Sequence, residues 1–190
     1  MLQLSEIFYS IQGEGTWTGT PAVFVRLAGC NLACDFCDTD YSTKFFASVG
    51  EVVAMVREAG GDCPMVVLTG GEPLAQAETL ELIEALRGDG RCVHVESNGT
   101  IFTDLPDDVW LCVSPKERVD PRMAERANEA KLIVDARVPE EHLALFAQPT
   151  ILLQPEGNKP ANVAVALDYA KAHPARFRLS LQTHKFIGVP

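Results

Sequence analysis

Ala22-Val23-Phe24-Val25-Arg26-Leu27-Ala28-Gly29-Cys30-Asn31-Leu32-Ala33-Cys34-Asp35-Phe36-Cys37 joins an apolar, β-branched run to three cysteines spaced C-x3-C-x2-C. The run predicts a strand over 22–27, which puts the cysteines in the loop at its carboxyl end. No fourth cysteine follows closely. A structural zinc site takes four protein ligands in a closed tetrahedron. A cubane iron–sulfur cluster normally takes one thiolate per iron, so three thiolates would leave one iron open to a small molecule. Spacing alone leaves other readings standing: a zinc site completed by a distant His94 or His184, or apolar cysteines that happen to be neighbours.

Further apolar runs over 65–69, 92–96, 109–114, 131–134, 150–154 and 177–181 predict strands, and their near-continuous hydrophobicity suits parallel strands covered on both faces. Between the first two strands, Ser48-x-x-Glu51 reads as a capping box opening a helix, with Val49, Val52, Val53 and Val56 on one stripe. A second helix over 77–87 turns Leu80, Ile83 and Leu86 inward, with Gly88 as its C-terminal cap. Later helices fit 122–129, 140–146 and 161–172, with Glu125, Arg126 and Glu129 on a solvated face. The pattern is an α/β chain of repeated βα units in one domain, 1–190.

Ligands of parallel α/β folds collect at the carboxyl ends of the strands. There the chain carries the cysteine loop, then Thr69-Gly70-Gly71-Glu72-Pro73, then Glu96-Ser97-Asn98-Gly99-Thr100. Ser114-Pro115-Lys116 and Gln154-Pro155-Glu156-Gly157 follow two more strands.

The formal charge of −10 and the absence of a Lys/Arg cluster argue against a nucleic-acid partner and for a small molecule. The first residues lack the basic stretch and apolar run of a signal peptide, and no segment is apolar enough to span a bilayer. The expected compartment is the cytoplasm, where disulfides are disfavoured. Cys63, Cys92 and Cys112 read as small core residues.

The cysteine loop followed by Gly70-Gly71-Glu72-Pro73 resembles the radical S-adenosylmethionine (SAM) superfamily. A narrower resemblance, to the 7-carboxy-7-deazaguanine synthase family, runs nearly the whole length. It is carried by Tyr9-Ser10-Ile11-Gln12-Gly13-Glu14-Gly15, Gly19-Thr20-Pro21, Phe24-x-Arg26, Cys37-Asp38-Thr39, Ser114-Pro115-Lys116 and Leu181-Gln182-Thr183-His184-Lys185. The resemblance implies an incomplete parallel β/α barrel with a substrate loop at about 9–21, a cluster loop at 30–39 and a tail at 182–190.

It also implies the chemistry. Cys30, Cys34 and Cys37 would hold a [4Fe–4S] cluster whose open iron is chelated by S-adenosylmethionine. Reduction would cleave that cofactor to a radical that takes a hydrogen atom from the substrate. Phe36, Cys37 and Asp38, then Gly71, Ser114 to Lys116 and Gln154 to Gly157, would contact S-adenosylmethionine. Glu72 would accept from its ammonium and Glu96 from its ribose hydroxyls. Ile11, Gln12, Gly13, Glu14, Arg26, Thr69 and His184 would bind the substrate, with Pro190 in a tail that folds over the pocket. Thr39 would ligate Mg²⁺.

The implied reaction converts 6-carboxy-5,6,7,8-tetrahydropterin to 7-carboxy-7-deazaguanine with loss of ammonia, toward queuosine-type nucleosides. A flavodoxin or ferredoxin would supply the electron, and the implied assembly is a homodimer. Two rival functions share the cysteine loop: a glycyl-radical activating enzyme acting on a protein, and a non-enzymatic zinc-binding module.

Overall fold

The computed structural model describes residues 1–147 and 150–190. By chain contacts they form two compact units, Met1–Ser10, Pro21–Ser97 and Thr103–Leu111 in one, and Ile11–Thr20, Asn98–Phe102 and Cys112–Pro190 in the other.

The first unit holds β1 (Leu2–Ile11, leaving it at Ile11), β2 (Pro21–Leu27), β3 (Phe45–Ala47), β4 (Met65–Gly70) and β5 (Cys92–Ser97), in the order β3-β1-β2-β4-β5. The pairs β2–β4 and β4–β5 are parallel, and β1–β3 is antiparallel. Met65 to Leu68 are buried in unbroken succession, as a central strand requires. On β2, Val23, Val25 and Leu27 are buried while Phe24 and Arg26 share the less covered face. β1 is absent from the sequence expectations, although Leu2 and Leu4, both fully buried, alternate with Gln3 in the period of a strand.

Helix α1 (Val49–Gly60) begins at the expected capping box. The Ser48 hydroxyl accepts from Glu51 N–H and the Glu51 carboxylate accepts from Ser48 N–H. Val52, Val53 and Val56 are buried. Helix α2 (Thr79–Gly88) corrects two expectations. Its buried stripe is Thr79, Leu82, Ile83 and Leu86, an i, i+3, i+4, i+7 set that leaves Leu80 39% exposed on the flank. Gly88 is still helical; Asp89 follows as the cap and Gly90 takes the left-handed turn at φ 79°.

The second unit carries β6 (Trp110–Val113, entering it at Cys112), β7 (Glu129–Val134), β8 (Ile151–Pro155) and β9 (Phe177–Leu179), all paired in parallel in that order. The helix expected over 122–129 is α3 (Pro121–Arg126), which stops because Glu129 pairs with Cys112 in the sheet. Glu129 is therefore 2% exposed rather than part of a solvated face. The segment expected as a helix over 140–146 is a 3-10 turn, Glu140–Leu145. Helix α4 (Pro160–Ala172) stands close to expectation, and a short α5 (Thr183–Ile187) closes the tail. Cys63 and Cys112 are buried, but Cys92 is exposed at the start of β5, which corrects its reading as a core residue.

Candidate active site

In the first unit, the loop after β2 is closed at its root. Gly29 N–H donates to the Tyr41 carbonyl at 2.8 Å, and the Ser5 hydroxyl donates to the Asp40 carbonyl at 2.9 Å. The Asp40 carboxylate accepts from the Ser42 hydroxyl and N–H and from Lys44 Nζ, which hold it well below the usual carboxylate range. Within the loop, Cys37 N–H donates to the Cys34 carbonyl at 3.1 Å and Leu32 N–H donates to Cys30 Sγ at 3.4 Å. Cys30 and Cys34 are half-buried and Cys37 is exposed.

Burial pushes the Cys30 thiol up, and Glu72 and Cys37 push it the same way against the Leu32 N–H. A bound cluster would reverse that balance, since a coordinating thiol gives up its proton. Three soft donors on one pinned loop, one already accepting an N–H···S bond, fit an iron–sulfur cluster.

The turn after β4 is bonded onto that loop's root. Gly71 N–H donates to the Leu27 carbonyl at 3.3 Å and Glu72 N–H to the Gly29 carbonyl at 3.0 Å. A Cβ on Gly70 would lie 2.1 Å from the Leu27 oxygen, and Gly70 sits at φ 151°, so glycine is required there twice over. Glu72 is fully buried, its Oε1 accepting from Leu74 N–H and the Ser97 hydroxyl, each at 3.0 Å. Glu96 Oε1 lies 3.5 Å from His94 Nε2. Arg26 donates through Nε to Glu6 Oε1 at 2.6 Å and stands over Phe8, whose ring stacks on Phe24. Thr69 is its register partner on β4. Phe36 is 38% exposed, Asp38 is exposed, and Thr39 is half-buried.

In the second unit, the loop after β1 is tied by Gln12 N–H to the Thr20 carbonyl and Gly19 N–H to the Gln12 carbonyl, both 2.8 Å. Glu14 N–H donates to Gln12 Oε1 at 3.1 Å. Glu14 Oε2 lies 2.6 Å from Lys131 Nζ, and Oε1 accepts from Gln182 Nε2 at 3.0 Å. Burial pushes the Glu14 carboxyl up. The Lys131 charge and hydrogen bonds from Lys131, Gln154 and Gln182 outweigh it and bring it down to about 2.

The tail docks on the same loop. Thr183 N–H donates to the Gly13 carbonyl at 2.8 Å, and the His184 ring occupies the place of a side chain at Gly13. Gln182 and Asn158 exchange two bonds of 3.2 Å, which links the tail to Glu156-Gly157. The Ser114 hydroxyl donates to the Lys131 carbonyl at 2.9 Å and accepts from Lys116 Nζ at 2.6 Å. Pro115, Gln154 and Pro155 are buried; Ile11 is half-buried at the loop's start, and Pro190 is exposed beyond the α5 cap at Gly188.

A family model described as the Radical SAM superfamily matches residues 24–137. The 7-carboxy-7-deazaguanine synthase of Bacteroides thetaiotaomicron is 39% identical over 197 residues, covering 100% of this chain and 99% of that protein. That of Bordetella pertussis is 39% identical over 212 residues, covering 98% of each. The chain belongs to the 7-carboxy-7-deazaguanine synthase family. The crystal structure of QueE from Escherichia coli superposes with a TM-score of 0.83 at 30% identity, covering 96% of this chain and 94% of that one.

As a family member the chain has the expected fold class, α/β with a mostly parallel sheet of the partial-barrel radical SAM type. It is a radical SAM enzyme, and its cofactors are a [4Fe–4S] cluster and S-adenosylmethionine. That membership sets aside the glycyl-radical activase and the zinc module.

Sequence reasoning missed Lys131, Glu129, Asn158 and Ser180, whose hydroxyl accepts from Gly15 N–H at 3.0 Å, as parts of the surroundings of the loop after β1, and it quoted Gln182 only within a motif. One signal was available. Glu129 and Lys131 stand two apart in an otherwise apolar strand, so both charges share one face.

Proposed function

We propose that this chain converts 6-carboxy-5,6,7,8-tetrahydropterin to 7-carboxy-7-deazaguanine with release of ammonia and with Mg²⁺, a step toward queuosine-type 7-deazapurines. The observation that carries the reading is the three-thiol loop with the Gly70-Gly71 turn bonded onto its root. When bound, the cluster and S-adenosylmethionine supply one-electron hydrogen-abstraction chemistry. The protein's own residues hold, orient and shield.

In the first unit, Cys30, Cys34 and Cys37 are the cluster ligands and Thr39 the Mg²⁺ ligand. Phe36, Asp38, Gly71, Glu72 and Glu96 are assigned to S-adenosylmethionine. The guanidinium has five donors, of which Glu6 takes one, so Arg26 retains a fork for the substrate carboxylate. Thr69 is assigned to the substrate.

In the second unit, Ser114, Pro115 and Lys116, with Gln154, Pro155, Glu156 and Gly157, are assigned to S-adenosylmethionine. Ile11, Gln12, Gly13, Glu14, His184 and Pro190 are assigned to the substrate. Gln12 and Glu14 suit a pterin edge, which presents both donors and acceptors.

A flavodoxin or ferredoxin is the proposed reductant and a homodimer the proposed assembly. The cytoplasm is the proposed compartment, in keeping with six free thiols. No helix among the described residues is long and apolar enough to cross a membrane.

The deciding experiment is an anaerobic assay with dithionite, S-adenosylmethionine, Mg²⁺ and the carboxylated pterin, read by mass spectrometry. The expected product is 7-carboxy-7-deazaguanine with one ammonia per turnover. Abstraction without ring contraction overturns the substrate assignment.

A further inference from the structure

Lys131 is the third residue of β7 and only 4% exposed, an ammonium that needs a counter-charge to be buried at all. Its partner is Glu14, 117 residues earlier, at 2.6 Å. Three elements converge on that carboxylate: Lys131 from β7, Gln154 from β8 and Gln182 from the tail. The Glu14 backbone is fixed as well, through its N–H bond to Gln12. An ionised carboxylate offers about four lone-pair sites and is an acceptor only. A buried ion pair contributes little to stability compared with an apolar pair of the same volume, so its value lies in fixing a charge in one place.

We infer that Lys131 is the positioning residue for Glu14: it holds the carboxylate charged and in one rotamer, ready to accept N–H donors from the aminopyrimidine edge of the bound substrate. The inference rests on the proposed substrate role of Glu14. Other charged or titratable groups around Glu14 are Glu129 on β7, whose carboxylate accepts from Thr16 N–H, His184 beside Gly13, and Lys185, which donates to Gln182 Oε1. Gln154, the contribution of β8, is neutral. Removing the Lys131 charge leaves burial as the dominant influence on Glu14, so its carboxyl rises toward neutrality.

The test is equilibrium dialysis of 6-carboxy-5,6,7,8-tetrahydropterin against anaerobic protein carrying cluster and S-adenosylmethionine, without reductant. It is run between about pH 6 and 8. Wild type is expected to bind with a flat profile. Lys131→Met is expected to bind about tenfold more weakly near the acid end, recovering as pH rises and Glu14 ionises. Lys131→Arg, which keeps the charge, is expected to restore the flat profile.

The double variant Glu14→Gln/Lys131→Met removes both charges and carries the test even if Lys131→Met does not fold. It should bind as Glu14→Gln alone does. A double variant clearly weaker than Glu14→Gln, or a Lys131→Met profile identical to wild type, overturns the inference. Equal binding by wild type and Glu14→Gln overturns the substrate role of Glu14 itself, a failure separable because it involves no change at Lys131.

Discussion

A Cβ on Gly71 would stand 2.6 Å from the Cβ of Cys30 and 2.1 Å from the Gly29 carbonyl oxygen. The Gly71 backbone is therefore packed directly against Gly29 and Cys30, with no space for a side chain between them. Any side chain at Gly71 must displace a main-chain atom next to Cys30.

Gly71→Ala is accordingly expected to shift the cysteine loop and lose iron, with overpacking costing about 1–3 kcal/mol of stability. After anaerobic reconstitution the variant should hold well below about four irons per chain. Native iron content would show that the loop yields without harm to the ligands.

At Gly13 the obstacle is a side chain, with a Cβ placed 2.2 Å from His184 Nδ1 and 2.7 Å from His184 Cβ. Gly13→Ala should push the tail away and break the Thr183 N–H bond to the Gly13 carbonyl. Hydrogen exchange at residues 183–188 should speed up, with KM for the pterin raised and cluster content unchanged. Unaltered exchange in the tail would refute the steric argument.

Thr39 lies two residues after Cys37 and precedes Asp40, whose carboxylate is already engaged by Ser42 and Lys44. Thr39→Ala should leave the iron content intact while raising the Mg²⁺ concentration needed for half-maximal turnover. An unchanged Mg²⁺ titration removes Thr39 from the site.

Folding stability should carry the Glu14 signature in acid. Its carboxyl lies at about 2 in the folded chain against an ordinary 4.5, so the group stabilises above pH 4.5 and that contribution fades as pH falls toward 2. Urea melts of wild type should lose stability across that window more steeply than Glu14→Gln, which has no carboxyl to protonate. Parallel curves would mean that Glu14 is not ionically held.

Much of the fold was legible because its signals are local. The Ser48–Glu51 box, the valine stripe of α1 and the unbroken apolar run of β4 each lie within a few residues of one another. Misreadings occurred where neighbours in space outvoted neighbours in sequence. Glu129 fits the end of a polar helix by periodicity, yet pairing with Cys112 draws it into β7 and buries it. Leu80 fits a helical stripe, yet the covered face of α2 centres on Leu82 and Ile83.

The sequence by itself determined the three-cysteine loop, since three cysteines in eight residues need only a turn to gather them, and the Gly70-Gly71 turn whose missing side chains let it pack against that loop's root. Tertiary structure alone decided the surroundings of Glu14. Thr16 beside it reaches Glu129 across 113 residues, and Glu14 meets Lys131 across 117 and Gln182 across 168. No short-range pattern encodes such pairs, because what brings them together is the parallel stacking of β7, β8 and β9 under a loop from the other end of the chain.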